Sequence, residues 1–378
     1  MPSNADSPSR PRYAVHLGLF LLTVASVVFT GAVNAGEGST MAALTSRAAL
    51  RHGGAFAGTL LTILLAHEFG HYIAARLHKV DATLPFFIPL PVLSPFGTMG
   101  AIIKMRDRIT SRKALLDIGA SGPLAGLALA IPLYVYGAAH SRFVPAGGPG
   151  MMELGESVML KVLDRLATGA APPGMELELS PVAYAAWAGM FVTMINLIPV
   201  GQLDGGHVAY ALFGRRQNVF AQWVHRATLA FFFVNLVGFV SRDLRAGLGF
   251  VRFGTHVGNS SFWLVWFEML SILGTLSASQ GDKKSDDLGA RPRIVATVAL
   301  LVLSGLGRER GGTLVWLGWG TTLVLLLAME RMRGSLRPHA LLDHPPTGEH
   351  ALGPGRRAVA IVTLVIFALL FMPTPVAM

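Results

Sequence analysis

The chain contains no cysteine. Disulfides and thiolate metal ligands are therefore excluded, and any bound metal must be held by His, Asp or Glu. Charge is also scarce. Only 14% of the 378 residues are Asp, Glu, Lys or Arg, against about 25% in a soluble domain. Acids are fewer than bases, 21 against 31, which leaves a net charge of +10. On a soluble chain that excess would suggest nucleic acid. Here the bases cluster between apolar runs, as orientation in a membrane requires, so no nucleic-acid partner is expected. The chain is 52% hydrophobic, with a mean hydropathy of +0.53. The fold class expected is an all-α polytopic membrane protein of about 8–9 spans, with the lipid bilayer as its surroundings.

The stretch around which the rest is organised reads Leu64-Leu-Ala-His67-Glu68-Phe-Gly-His71-Tyr-Ile73. On a helix, residues four apart share a face, so His67 and His71 can hold one metal ion. Glu68, the next residue round, is placed to act as a base. Two imidazoles, an open position and a carboxylate make the arrangement of a zinc hydrolase. The residues around the motif are apolar, and ionisable groups in such a run point to function.

Met1–Arg12 is polar, carries three prolines and reads as a cytosolic tail. Tyr13–Val33 reads as the first span, too long for a signal-peptide core and thus an anchor. His16 within it is expected to be interfacial. A Gly- and Ser-rich loop, Asn34–Gly54, is expected before a second span at Ala55–Leu77. Leu84–Ile103 is apolar but holds Pro85, Pro89, Pro91 and Pro95. A regular helix cannot carry them, and irregular backbone at membrane depth needs a protein or watery surrounding. A re-entrant loop is expected there, with a short extended strand at Gly100–Met105. Lys104–Lys113 carries five bases and one acid.

Ala114–Tyr136 reads as the third span, and its Gly119, Gly122 and Gly126 invite close helix contact. Gly137–Pro181 reads as a polar loop. The fourth span, Val182–Ile198, ends at Pro199 and Gly201, which break the helix just before Asp204. A carboxylate on such a break can turn inward, so Asp204 is the best candidate for the third metal ligand; His207 and His225 are expected to be interfacial. Further apolar runs lie at Gln222–Val240, Ser261–Leu273, Arg293–Gly307, Thr313–Glu330 and Ala358–Pro375. Ser277–Arg293 and Ser335–Arg357 read as loops, the latter solvated, with His339, His344 and His350. Charge bias places Arg76–Lys113, Arg215–Arg216 and Arg331–Arg337 on the cytosolic side and the acid-rich loop from Ala139 opposite.

Three stretches together resemble the site-2 protease family of intramembrane zinc metalloproteases. They are His67-Glu-Phe-Gly-His71, then Phe96–Ile103 with Asp117–Gly126, and Asn196-x-x-Pro199-x-x-x-Leu203-Asp204-Gly205. The likeness is closest to the branch that lacks PDZ and CBS domains. It implies one Zn2+ held by His67, His71 and Asp204, with Glu68 as catalytic base. It implies that Asn196 serves the substrate or the oxyanion, and that 82–105 is a re-entrant β-hairpin beside the active site. Gly100, Ala101, Ile102 and Ile103 would then meet an extended substrate by strand addition. The partners implied are transmembrane protein substrates, cut in or near their membrane segments. On this basis 13–216 is expected to be the catalytic membrane core and 217–378 an accessory transmembrane region, in a bacterial inner membrane with the site toward the cytosol. Two other functions are compatible with buried His and Asp. A metal transporter would spread ligands over several helices and would not need Glu68. A non-cleaving binder of membrane segments would have no chemical need for all four residues.

Overall fold

A computed structural model describes residues 13–35, 40–91, 94–145, 153–279, 288–310, 312–336, 342–348 and 350–377. The tail 1–12, Lys283, Lys284 and His339 lie outside the described residues. The elements are α1 (Tyr13–Val33), α2 (Thr40–Thr45), α3 (Arg47–Leu77), β1 (Phe86–Pro89), β2 (Thr98–Ile102), α4 (Arg112–Ala139), β3 (Arg142–Pro145), β4 (Glu153–Leu154), α5 (Val158–Thr168), β5 (Met175–Glu178) and α6 (Pro181–Asn196). They continue as α7 (Asp204–Phe213), α8 (Arg216–Arg245), α9 (Phe253–Ser279), α10 (Ala290–Arg310), α11 (Thr313–Arg333), α12 (Pro354–Leu370) and β6 (Val376–Ala377).

Among the described residues, six helices are long and apolar enough to cross a membrane: α1, α3, α4, α8, α10 and α11. The chain is a multi-pass, mainly helical membrane protein, with three small two-stranded sheets among the described residues. Helices α6 and α12 have only 16 and 17 residues. Helix α9 has 27 but is not among the six; its His256, Asn259, Ser260, Ser261 and Glu268 dilute the apolar run.

Contacts divide the chain into two units. The first comprises Met1–Ala146, Val162–Asn196 and Thr347–His350. Its spine is α3, which packs on α1, α4 and α6. This helix starts eight residues before the expected span, because the Gly-rich stretch before Ala55 is helical and not a loop. Ser46 caps it, its Oγ accepting from the Ala49 N–H at 3.2 Å. Gly53 is there for contact, since a Cβ on it would stand 2.4 Å from the Val28 carbonyl of α1.

The proline-rich stretch forms an antiparallel hairpin of β1 and β2, with Phe86 opposite Ile102 and Phe87 opposite Ala101. The expected strand at Gly100–Met105 is thus shifted: β2 begins at Thr98 and ends at Ile102, and Met105 only bridges Ala82. Turn residue Gly97 has φ +75°, and its carbonyl accepts from Ser26 Oγ of α1. His16 Nδ1–H donates to the Pro85 carbonyl at 3.1 Å, so this histidine holds the hairpin to α1.

The segment from Gly137 to Pro181 is not a plain loop. Strands β3 and β5 pair from Arg142↔Glu178 to Pro145↔Met175, and α5 lies between them in sequence. Tyr134 of α4 donates to Asp164 of α5 at 2.7 Å.

The second unit comprises Gly147–Lys161, Leu197–Pro346 and Ala351–Met378. Here α7 packs on α8 and α12, α8 on α9, α9 on α10, and α10 on α11.

Candidate metal centre

Helix α3 carries His67, Glu68 and His71 on its most enclosed stretch; they are 3%, 6% and 8% exposed. The Nε2 atoms of His67 and His71 are 3.2 Å apart. Two nitrogens at about 2.0–2.1 Å from a tetrahedral zinc stand roughly 3.3 Å apart, so the pair is already at ligand spacing.

The tautomer of His71 follows from its other nitrogen. Nδ1 lies 2.7 Å from the carbonyl oxygen of Ile118, which can only accept. Nδ1 is therefore protonated, and neutral His71 presents the bare Nε2 lone pair that a metal takes.

Helix α4 approaches α3 through glycines. A Cβ on Gly122 would fall 2.1 Å from His71 Nε2, and one on Gly126 3.3 Å from His67 Cβ. In return, a Cβ on Gly70 of α3 would meet the Ser121 carbonyl at 2.5 Å. Any side chain at 122 would collide with the imidazole of His71. The small residues noted in the sequence thus make space for the imidazoles as well as for helix contact.

Asn196, the last residue of α6, sets Nδ2 3.4 Å from His67 Nε2. Beyond it, residues 197–203 turn sharply. A Cβ on Gly205 would stand 2.0 Å from the Leu197 carbonyl, and one on Gly206 2.4 Å from that of Gly201. Only glycine permits this fold-back. It makes Asp204 the first residue of α7. Two neutral imidazoles and one carboxylate, with Glu68 next to them in sequence, fit a catalytic Zn2+.

The hairpin residues lie in the first unit. Gly100 is buried with φ +94°, and its N–H donates to Thr98 Oγ1 at 3.0 Å. Ile102 is 58% exposed, while Ile103 packs on the cluster of Ala74, Ala75, Val80 and Ile118. Among the described residues β2 pairs only with β1, so its other edge carries no strand.

Among the described residues, the remaining histidines do not join this candidate group. His225 is wholly buried, not interfacial, with Nε2 2.9 Å from the Phe267 carbonyl. His344 is buried, not solvated. Its Nδ1–H donates to the Pro345 carbonyl at 2.8 Å, its Nε2 lies 2.8 Å from His207 Nδ1, and its ring stacks on Tyr210. The residues that sequence reasoning missed are Glu268, Arg293 and Glu330, all 0% exposed. A lone acid in the apolar run Ser261–Leu273 was the available signal.

The chain is similar to known proteins over this region. Residues 55–237 match Peptidase family M50. A probable chloroplastic zinc metalloprotease of Arabidopsis thaliana, EGY2, is 32% identical over 207 residues, which is 53% of this chain and 36% of the relative. The probable chloroplastic zinc metalloprotease EGY1 of Oryza sativa subsp. japonica is 36% identical over 162 residues, 41% of this chain and 27% of the relative. Its Arabidopsis counterpart EGY1 is 35% identical over 166 residues, 42% and 30%. The chain thus spans about a third or less of the length of these relatives. No solved structure matches.

Proposed function

We propose, from the premise that residues 55–237 belong to peptidase family M50, the site-2 proteases, that this chain is an intramembrane zinc metalloprotease. It hydrolyses peptide bonds in or near the transmembrane segments of membrane proteins. The observation that carries the reading is the pairing of His67 and His71 with Nε2 atoms 3.2 Å apart, with Glu68 buried in the next position on α3.

A bound Zn2+ supplies Lewis-acid polarisation of the scissile carbonyl and lowers the pKa of water to about 7. The rest falls to the chain. His67, His71 and Asp204 hold the ion. Ile118 fixes the ring of His71 through its carbonyl. The Glu68 carboxylate takes a proton from the attacking water and returns it to the leaving amine. Asn196, 3.4 Å from His67, donates through its amide to the substrate carbonyl or the oxyanion. The open edge of β2 receives an unwound substrate at Gly100, Ala101, Ile102 and Ile103 by backbone hydrogen bonds. The hairpin 82–105 is re-entrant, 13–216 forms the catalytic core, and 217–378 is accessory. Helices α6, α9 and α12 join the six apolar ones as spans, which makes nine.

The test is cleavage of a membrane substrate by purified protein with zinc measured in parallel. His67→Ala, His71→Ala and Asp204→Ala should each lose zinc and activity. Glu68→Ala should keep zinc while cleavage drops by about 10²–10⁴-fold, the range for a general base. Full zinc occupancy in Asp204→Ala would remove that residue from the site.

The reading also places the basic segments 76–113 and 215–216 on one side, the cytosolic face of a bacterial inner membrane, and the β3–β5 segment opposite. A chain without cysteine makes this simple to check. Single cysteines at the exposed positions Thr110, Glu156 and Val219 should react with an impermeant thiol reagent from one side for 110 and 219 and from the other for 156. Labelling of all three from one side would reverse the topology.

A further inference from the structure

Among the described residues of the second unit, two acids and one guanidinium lie at 0% exposure on three successive helices: Glu268 of α9, Arg293 of α10 and Glu330 of α11. Their partners are shared unequally. Glu330 accepts from Arg293 Nε at 2.6 Å and Nη2 at 3.2 Å. It also accepts from the Ser335 N–H at 2.5 Å and from Ser335 Oγ at 2.7 Å. Arg293 Nη1 donates to Thr275 Oγ1 at 2.7 Å. Glu268 is different: among the described residues neither of its carboxyl oxygens has a hydrogen-bond partner. Arg293 Nε is 4.0 Å away, beyond hydrogen-bond reach.

The charges do not balance. One guanidinium cannot neutralise two carboxylates. Four donors hold the negative charge on Glu330, so the unmet carboxylate is Glu268. A buried carboxylate without donors is strongly disfavoured as an ion. The cluster therefore lacks one positive charge. Two oxygens of one side chain, with no third metal-binding group beside them among the described residues, are too few for a metal ion. A proton meets the need.

We infer that Glu268 is a proton-binding site, and that Arg293 moves from Glu330 toward Glu268 when the proton leaves. On the neighbouring helix α8, His225 contacts the Phe267 carbonyl through Nε2 and, at 3.1 Å, Ser271 Oγ of α9. It donates nothing to Glu268. Glu330 also holds the chain that follows α11, through both donors of Ser335. A guanidinium drawn to Glu268 weakens that anchorage. Proton release in α9 is then felt at residues 334–336. This switch is independent of proteolysis, and its readouts involve no cleavage.

The test uses the full chain in detergent. Infrared difference spectra of the wild type and Glu268→Gln report the carbonyl stretch of a protonated carboxylic acid. Gln keeps the size and neutrality of the protonated side chain, so the variant should fold; Glu268→Leu serves as a second apolar replacement. At neutral pH the band should be present in the wild type and absent from both variants. A single cysteine at Leu336 should label several-fold faster at alkaline pH in the wild-type background than in the Glu268→Gln background, with equal rates at neutral pH. An unchanged band in both variants shows Glu268 to be ionised and overturns the inference. A lost band with identical labelling profiles overturns the movement of Arg293.

Discussion

In α3 and α4, 44% and 61% of the most apolar window is buried inside the protein; in α8 and α11 the shares are 17% and 22%. The first pair packs backbone to backbone through Gly70 and Gly122. The second unit instead places charged and polar side chains between helices, as in the fully buried Arg293–Glu330 pair. The difference reflects what each region must hold. A metal centre needs nitrogen atoms fixed within tenths of an ångström, and side chains locked by close backbones provide that. A region that responds to a bound proton needs two arrangements of similar free energy, and a guanidinium with two acidic neighbours offers them.

The sharpest way to break this comparison is to add one methyl group to each region. Gly122→Ala puts a Cβ 2.1 Å from His71 Nε2, where neither α3 nor α4 can yield. Zinc occupancy and cleavage should both be lost, and overpacking should cost roughly 1–3 kcal/mol in stability. Gly258→Ala in α9 and Gly305→Ala in α10 have no atom within 4 Å of the new Cβ. Both should keep full zinc and activity and gain up to about 1 kcal/mol of helix propensity. Metal analysis and thermal unfolding decide it. Zinc retained in Gly122→Ala would show that the two helices can part, and that the close packing does not fix the site.

A smaller effect is expected where the first unit is least buried. The free edge of β2 offers N–H groups that proline removes. One of Ile102→Pro and Ile103→Pro should abolish cleavage while zinc stays near wild type, and Ile102→Val and Ile103→Val should remain active. Ile102 is the better candidate, being 58% exposed, whereas Ile103 is tied into the Ala74–Ile118 cluster. Loss of zinc in the proline variants would mean that the hairpin supports the metal centre rather than receiving substrate. Normal cleavage in both would make it a gate or a packing element.

What the sequence made legible follows the same division. His67, Glu68 and His71 lie within one helical turn, so their geometry is local and spacing alone reveals it. The break before Asp204 is legible because Pro199 and Gly201 act on their own backbone. The hairpin is legible because four prolines exclude a helix. The start of α3 was hidden, because Gly53 and Gly54 look like loop residues while Gly53 in fact seats α3 on α1. The structure between Arg142 and Glu178 was hidden too, since pairing of β3 with β5 joins residues 36 apart. Least legible was the Glu268–Arg293–Glu330 cluster. Its members sit on three helices, and nothing local to any one of them names the other two.

The smallest effect tests the comparison at its polar margin. Arg142 of β3 pairs with Glu178 of β5, outside the apolar helices, and its side chain is 78% exposed. The hydrogen bond from Arg142, more than its charge, holds the Glu178 carboxyl below the usual carboxylate range. A carboxyl whose pKa is lowered on folding contributes stability above its unfolded pKa and loses it as pH falls through the folded one. Arg142→Ala should therefore lower the thermal midpoint slightly at neutral pH. The gap from wild type should close in acid and shrink with added salt, because exposed pairs are screened. The buried Arg293–Glu330 pair should behave oppositely: Arg293→Ala leaves the Glu330 carboxylate enclosed without its counter-charge, so its loss should be large and insensitive to salt. Thermal unfolding of both variants at low and high salt reads the contrast directly. A salt-insensitive loss in Arg142→Ala would mean that the β3–β5 pair is held in a buried setting, and the division between the two kinds of charge would fail there.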